Sequence, residues 1–183
     1  IDRQGSGQGQ YIDSSMTDCV ATLNSMAAAA VLAGETKQYA EQSHLNGATY
    51  YDYYQTLDGR YLSVGSLEPQ FMSGLATVLE LPILLEKGTS FDATDQKLVK
   101  QALQEKIKTK TFTEWSSIFA ELDVCVEPVL HLDEALTSPL AKQRQWVVDV
   151  PLAEESAQTE AQLACPIKFS RSKMSYQHIG KKL

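Results

Sequence analysis

The sequence predicts an α+β fold, in which a small sheet of about three strands is covered by helices. Two short β-forming stretches flank the turn signal Asp58-Gly59, and this pattern predicts a β-hairpin. The apolar, β-branched run 124–130 predicts a third strand, and Pro128 indicates an edge position or the end of that strand. Apolar residues recur at helical spacing over 71–122, so helices are expected to cover the sheet.

Residues 1–34 predict a strand–helix arm, and residues 35–49 predict a linker. Glycines alternate over 5–9 without the GxGxxG spacing of a dinucleotide site, so we expect a flexible turn there. Residues 10–16 then predict a strand. After the N-cap Thr17, an amphipathic helix is expected to stop at the glycine that ends the arm. Its apolar positions are Val20, Leu23, Met26, Ala27, Ala30 and Val31.

Residues 50–71 organise the chain, because they combine a strand, a tight turn, a second strand and a helix start. The strand residues are Tyr51, Tyr53, Tyr54, Thr56, Tyr61, Leu62, Ser63 and Val64. Pro69 fits the first position of a helix, so Glu68 is expected at a helix N-terminus. Free N–H groups and the helix dipole stabilise an ionised carboxylate there. Glu68 is therefore either a helix cap or the partner that orients a histidine and favours its charged form.

The small α+β domain is expected to span 50–150 and to contain further helices after the one that begins at Pro69. Pro82 breaks that helix, a second helix covers 95–108, and a third follows Thr113. Apolar stripes on such helices are typical of core faces. The predicted core positions are Phe71, Leu75, Val78, Leu79, Leu98, Leu103, Ile107, Trp115, Ile118, Phe119 and Leu122.

The C-terminal part predicts short elements and a basic tail. Short helices are expected at 133–136 and from Ser138, and a strand is expected at 146–150. The polar stretch 154–162 predicts a mobile excursion. The basic residues of the tail predict either a phosphate contact or a frayed terminus. They are Lys168, Arg171, Lys173, Lys181 and Lys182.

Composition and charge argue against several classes of protein. Of the 183 residues, 43% are hydrophobic, which is enough to bury a core. The net charge of −7 argues against a nucleic-acid-binding surface, because the 16 Lys+Arg residues are scattered rather than clustered. The longest apolar stretch, 26–33, is too short to span a bilayer, so no membrane association is expected.

Cysteine usage predicts reduced thiols in a cytoplasmic protein. Cys19, Cys125 and Cys165 are widely spaced without a CxxC, and the chain has only 3 His, which argues against a zinc site and a disulfide framework. The chain opens with Ile1 and shows no charged-then-apolar leader. We therefore expect a piece of a longer protein.

Three stretches in this order carry a resemblance to a known family: GQGQYIDSSM at 7–16, DGRYLSVGSLEPQF at 58–71 and FTEWSSIFAELDVCVEPVL at 112–130. From about Arg3 to about Phe169 the chain resembles the family III CoA-transferases (CaiB/BaiF-like), specifically the α-methylacyl-CoA racemase branch. The resemblance implies an upstream nucleotide-fold domain, which carries the catalytic Asp and, in racemases, a catalytic His. Residues 1–34 would then belong to that missing domain, and residues 151–183 would return to it.

The resemblance also implies a reaction and site residues. Racemase-like members epimerise the 2-methyl centre of an acyl-CoA thioester, in which one group removes the acidic α-proton and another returns it to the opposite face. Glu68 would be the catalytic residue that orients the histidine. Tyr51 and Leu67 match positions that line the acyl-CoA pocket, although both equally fit packing of the hairpin and of the helix start. No cofactor is implied, since CoA is part of the substrate, and most phosphate contacts are expected from the missing half.

Two alternatives remain open. A family III CoA-transferase would use the upstream Asp to form an acyl-aspartyl anhydride. Formyl-CoA-transferase-like members carry a glycine-rich loop after their linker, whereas this chain has only Gly47 before its hairpin, which favours the racemase branch. The other alternative is a non-catalytic dimerisation module, since family members are interlaced homodimers. By itself the chain is expected to have neither activity.

Overall fold

The computed structural model describes residues 2–34, 43, 45–153, 156–172 and 174–179. These residues form helices and short antiparallel strands, so the predicted α+β class is confirmed. Most of the predicted linker 35–49 lies outside them. The chain divides into two compact units, Ile1–Glu127 and Pro128–Leu183. None of the helices in the described ranges combines the length and the apolar character that a bilayer-spanning segment needs.

The predicted strand at 10–16 is wrong, because residues 7–15 have no regular secondary structure and α2 begins at Met16. A strand is stable when its backbone groups pair with a neighbouring strand. No strand of the described residues pairs with this stretch. Of the alternating glycines at 5–9, Gly5 lies in a short helix, α1 (Asp2–Ser6), and the other two lie in the irregular segment after it.

The predicted helix of the arm is present as two helices, α2 (Met16–Leu23) and α3 (Ser25–Leu32). The N-cap is Ser15 rather than Thr17, because the Ser15 side chain accepts a backbone N–H of the first turn. Asn24 separates the two helices, and its side-chain amide donates to a carbonyl of the preceding turn at 3.0 Å. A side chain that competes for backbone groups in this way interrupts a helix.

The predicted hairpin is confirmed. Strands β1 (Asp52–Gln55) and β2 (Tyr61–Val64) pair antiparallel around the Asp58-Gly59 turn. Gly59 has φ +81°, a left-handed conformation that glycine adopts without steric cost. The third strand, β3 (Val126–Pro128), lies beside β2 in the order β1-β2-β3. Its proline therefore lies on an edge strand, as the sequence predicts.

The helices that cover this sheet begin where local chemistry favours a helix start. They are α4 (Pro69–Leu79), α5 (Ile83–Lys87), α6 (Ala93–Ile107) and α7 (Phe112–Phe119). Asp92 accepts two N–H groups at the start of α6. Helix α7 begins two residues earlier than predicted. Its N-cap is Thr111 rather than Thr113, and Thr111 forms a capping box with Glu114.

The core of the first unit lies between the hairpin and these helices. It includes Tyr50, Tyr54, Leu62, Val64, Met72, Leu75, Leu79, Val99, Leu103, Ile107, Trp115, Phe119 and Val126. Two predicted core positions are wrong, because Leu98 is 44% and Leu122 is 41% exposed. On α6 the buried face instead includes Val99 and the polar Gln96, which is 3% exposed. A buried amide is compatible with a core when its hydrogen bonds are satisfied.

The second unit contains a two-stranded sheet. Helices α8 (Leu132–Thr137) and α9 (Pro139–Gln143) precede strand β4 (Val147–Pro151), in agreement with the predicted elements. The predicted mobile excursion at 154–162 is wrong over its second half, because β5 (Thr159–Leu163) pairs antiparallel with β4. The side chains of β5 are exposed. Polar residues therefore suit this strand, which is held by backbone pairing rather than by burial.

Candidate functional site

The turn between β2 and α4, residues 65–68, brings the three predicted site residues to one place. Tyr51 lies against Gly65, since a Cβ added to that glycine would be 3.3 Å from Tyr51 Cε2. The N–H of Leu67 donates to Gly65 O at 2.9 Å, and the Leu67 side chain packs on the core. Glu68 follows as the N-cap residue of α4. We call this segment the Glu68 turn.

Hydrogen bonds with two other segments fix the Glu68 turn. Ser66 is fully buried. Its carbonyl oxygen accepts the hydroxyl of Tyr50 at 2.5 Å, and its own hydroxyl donates to Val124 O. The N–H of Gly65 donates to Cys125 O at 2.8 Å. The backbone that leads into Glu68 is therefore held on two sides, by the residue that precedes β1 and by the loop that precedes β3.

Tyr50 is itself held at both backbone groups. Its N–H donates to Gln96 Oε1 at 2.9 Å, and its carbonyl accepts the hydroxyl of Tyr54 at 2.8 Å. Burial raises the pKa of Tyr50 to about 12, and the negative charge of Glu68 contributes to the rise. The Tyr50 hydroxyl therefore stays protonated at neutral pH and acts as a hydrogen-bond donor.

Glu68 has the backbone conformation of an N-cap, with φ −69° and ψ 142°, but its side chain caps no N–H of the helix. The helix begins with Pro69, which has no N–H to offer. The Glu68 side chain is exposed, and within the described residues no ion pair or hydrogen bond involves its carboxylate. The carboxylate is thus available to a group that the described chain does not supply.

Cys125 lies on the other side of the Glu68 turn in a left-handed conformation, with φ +51°. Partial desolvation raises the pKa of its thiol, and the negative charges of Glu68, Asp123 and Glu127 raise it further. A neutral thiol is a poor nucleophile, since the thiolate is the reactive form. The surroundings of Cys125 therefore argue against nucleophilic chemistry at this thiol.

The arrangement around Glu68 can orient and charge a partner, but it has no proton-transfer pair of its own. The only histidine in the sequence of the first unit, His44, lies outside the described residues. Across all described residues, no group of three His, Cys, Asp or Glu side chains is placed to hold a metal ion. An exposed anionic carboxylate on a fixed turn suits one task, which is to accept a hydrogen bond from a cationic or N–H donor.

Sequence reasoning missed Tyr50 and Ser66. The bond between them spans 16 residues, and the bond from Ser66 to Val124 spans 58. Neither residue carries a local signal, because an aromatic residue before a strand and a serine after a glycine fit ordinary hairpin chemistry. Only the tertiary arrangement gives them a role.

The second unit has cavities that none of the predicted site residues lines. One of about 700 Å³ and another of about 420 Å³ share Lys168 of the predicted basic tail. The Nζ of Lys168 donates to Gln145 O at 3.4 Å. Lys173, Lys181 and Lys182 lie outside the described residues. A phosphate contact by this tail stays a prediction.

Two of the curated proteins that the chain resembles are racemases. The alpha-methylacyl-CoA racemase of Mus musculus is 38% identical over 137 residues, which is 74% of this chain and 36% of that protein. The Homo sapiens protein of the same name is 33% identical over 145 residues, or 79% of this chain and 38% of that protein. The chain thus spans less than two fifths of the length of these relatives.

Solved structures share the fold at low sequence identity. Rv3272 from Mycobacterium tuberculosis superposes with a TM-score of 0.72 at 16% identity, covering 96% of this chain and 46% of that protein. A CAIB/BAIF family protein from Brucella suis gives 0.69 at 19% identity, covering 100% and 47%. The sequence profile described as CoA-transferase family III matches residues 1–179. Since this match covers nearly the whole chain, the protein belongs to CoA-transferase family III.

Proposed function

We propose that the chain is part of an enzyme that epimerises the 2-methyl centre of acyl-CoA thioesters. A thioester makes the α-hydrogen acidic, so a base can remove it and a second group can return a proton to the opposite face. The racemases that the chain resembles support this reaction class. CoA enters as part of the substrate, and no separate cofactor is needed.

One observation carries the proposed role of Glu68, namely an exposed carboxylate that no described side chain pairs with, on a turn that is fixed from both sides. Such a carboxylate can fix the tautomer of a histidine and stabilise its charged form. The histidine and the second proton-transfer group would come from the missing upstream domain. Leu67, which lies on the same turn, and Tyr51, which lies against Gly65 of that turn, would contact the acyl-CoA.

Replacement of Glu68 in the full-length parent enzyme tests this role. Glu68→Gln keeps the shape but removes the charge, so kcat should fall by about tenfold or more, as it does when other orienting carboxylates are lost. KM and the melting temperature should change little, because the side chain makes no described contact. Glu86→Gln, at another exposed glutamate of the same unit, is the matched control. A Glu68→Gln enzyme with the kcat of the wild type would remove Glu68 from the reaction.

The isolated 183-residue chain is proposed to be inactive, because both proton-transfer groups would be missing from it. Solvent deuterium exchange into the α-position of a 2-methylacyl-CoA measures this. The parent should exchange the α-hydrogen, whereas the pure chain should stay at background, and exchange by the chain alone would contradict the proposal. If the parent instead passes CoA to a free acid and is trapped by hydroxylamine, the acyl-aspartyl mechanism of a CoA-transferase replaces the racemase reaction.

The intact protein is further proposed to be a cytoplasmic homodimer of lipid metabolism. The family resemblance supports the association, since family members are interlaced homodimers. In the isolated chain, the arm that the missing domain would cover also exposes apolar residues, with Leu23 84% and Leu32 87% exposed. Apolar area of this kind is a common site of protein association. A non-catalytic dimerisation module would show the same association but no activity in the full-length parent.

A further inference from the structure

We propose that Tyr50 is a positioning residue for Glu68, because its buried hydroxyl fixes the carbonyl of Ser66 and so the direction in which the Glu68 turn presents its carboxylate. This inference rests on the proposed role of Glu68 in the reaction.

The geometry leaves the Glu68 turn little freedom. The carbonyl of Ser66 belongs to the peptide group that joins Ser66 to Leu67, one residue before Glu68. The 2.5 Å bond from Tyr50 therefore sets the rotation of that peptide group. The N–H of the same peptide group donates to Gly65 O at 2.9 Å. Both polar groups of this one peptide are thus satisfied, and rotating it would break both bonds at once.

Tyr50 can act as a fixed donor because both its side chain and its backbone are restrained. Its side chain is fully buried, and its backbone is held by Gln96 and Tyr54. The ring also lies close to Gly88, where an added Cβ would be 3.2 Å from Tyr50 Cε1. Within the described residues, no second donor to Ser66 O occurs. Loss of the hydroxyl would leave a buried carbonyl without a partner.

A purely structural role for the Tyr50 hydroxyl is the competing explanation, and Tyr54 offers a matched control. Both tyrosines are buried, and each donates one hydrogen bond to a main-chain carbonyl. Tyr50 donates to the Glu68 turn, whereas Tyr54 donates to Tyr50 itself at 2.8 Å. Phenylalanine at either position removes one buried hydrogen bond, but only Tyr50→Phe frees the turn directly.

Steady-state kinetics of the full-length parent separate the two explanations. Tyr50→Phe should lower kcat by about tenfold or more, since misplacing a catalytic group by about 1 Å costs up to about a hundredfold. KM should change less than kcat, because most contacts to CoA are expected from the missing half rather than from this turn. Tyr54→Phe, which leaves the Tyr50 hydroxyl and its bond to Ser66 in place, should lower kcat much less than Tyr50→Phe, with a similar drop in melting temperature. Equal losses of kcat in the two variants would overturn the proposal.

Amide hydrogen exchange in the 183-residue chain gives a readout that needs no activity. Tyr50→Phe should speed exchange at the Leu67 amide by about tenfold or more, because the bond that it removes lies on the carbonyl of the same peptide group. Tyr54→Phe should not, because the bond that it removes lies on the carbonyl of Tyr50. Equal exchange in the two variants would overturn the proposal. If Glu68→Gln leaves kcat unchanged, the proposed role of Glu68 in the reaction fails. Selective exchange at Leu67 would then still support fixation of the turn by Tyr50, so the two failures are distinguishable.

Discussion

At the scale of single residues, the amide of Gln96 holds together the segments behind the Glu68 turn. Its Oε1 accepts the N–H of Tyr50 at 2.9 Å, and its Nε2 donates to Gly88 O at 3.0 Å and Ser90 O at 2.6 Å. The side chain is almost fully buried. One amide therefore satisfies backbone groups from two loops that would otherwise be unpaired inside the core.

Gln96→Leu is expected to destabilise the chain by about 2–4 kcal/mol, because it leaves two buried backbone groups and one part-buried group without partners. Gln101→Leu, on the exposed face of the same helix, should change the free energy of unfolding by less than about 1 kcal/mol. Urea unfolding of both variants at equal concentration measures the difference. Equal stability of the two variants would show that water replaces the lost amide.

Asp58 should make the stability of the hairpin depend on pH. A hydrogen bond from Thr56 lowers the pKa of its carboxyl, and the N–H of Phe112 at 3.0 Å lowers it further. Because the pKa is lower in the folded chain, the stabilisation is present above the unfolded value of about 3.9 and is lost as the pH falls through the folded value.

Unfolding experiments on the wild type and Asp58→Asn between mildly and strongly acidic pH test this. The wild type should be the more stable protein at pH values above about 4, and the difference should shrink below that pH. Asp13→Asn, at an exposed aspartate in the irregular segment before α2, is the matched control and should show no such trend. A difference that stays constant with pH would contradict the assignment.

At the scale of elements, α6 covers the free edge of the hairpin with a row of polar side chains. Gln96, Lys100 and Gln104 follow each other at four-residue spacing, so they lie on one face of the helix. Lys100 pairs with Asp52 at 2.6 Å. Gln104 accepts the N–H of Gln55 at 3.1 Å and donates to its carbonyl at 2.8 Å. These side chains replace the neighbour that an edge strand lacks.

Gln104→Ala should therefore weaken the chain in two ways. The two hydrogen bonds to Gln55 contribute about 1–2 kcal/mol to the free energy of unfolding, and their loss exposes the edge of β1 to other chains. Gln101→Ala, which removes a solvent-facing amide from the same helix, is the control. Unfolding in urea and light scattering at high concentration should show lower stability and more association for Gln104→Ala alone. A Gln104→Ala variant that is less stable but strictly monomeric would show that other groups still prevent association through the edge of β1.

Elements with local chemistry could be predicted from the sequence, and elements that depend on distant partners could not. The Asp58-Gly59 turn and the helix start at Pro69 follow from backbone preferences, and both are confirmed. The strand at 10–16 fails because its pattern is not matched by a pairing strand, and β5 was obscured because its residues are polar. The buried face of α6 differs from the predicted one because Gln96 is buried against Tyr50, a hydrogen-bond partner 46 residues away in the chain.

The same distinction applies to the candidate site. The helix start at Pro69 already points to Glu68, whereas Tyr51 and Leu67 follow only from the resemblance. Tyr51 lies against the turn that carries the other two, but the roles of all three stay predictions. Tyr50 could not be found, because its importance lies in a bond to Ser66 that no local pattern encodes. Helix propensity and turn type depend on residues that are close in the sequence. The position of the Glu68 carboxylate depends instead on hydrogen bonds between residues that are far apart in the sequence.

At the scale of the whole molecule, acidity and exposed apolar surface act in opposite directions. A net charge of −7 keeps copies of the chain apart. The arm made of α2 and α3, in contrast, has no buried residue on α2 and leaves several large apolar side chains exposed. These are Met16, Val20, Leu23, Val31 and Leu32. Salt, which screens the charges, should therefore favour association.

Self-association through this arm is the last prediction. Burying apolar area yields about 25 cal/mol per Å² before the cost of immobilising two chains is subtracted, so the chain should form dimers as its concentration rises. The double variant Leu23→Lys, Leu32→Lys should stay monomeric, because it places charges on the surface that a dimer would bury. Leu85→Lys, at an exposed leucine of α5 elsewhere in the first unit, should associate like the wild type. Light scattering coupled to size exclusion, at low and high salt, measures all three proteins. A wild type that remains monomeric at every concentration, with its full helix content by circular dichroism, would show that the arm does not drive association.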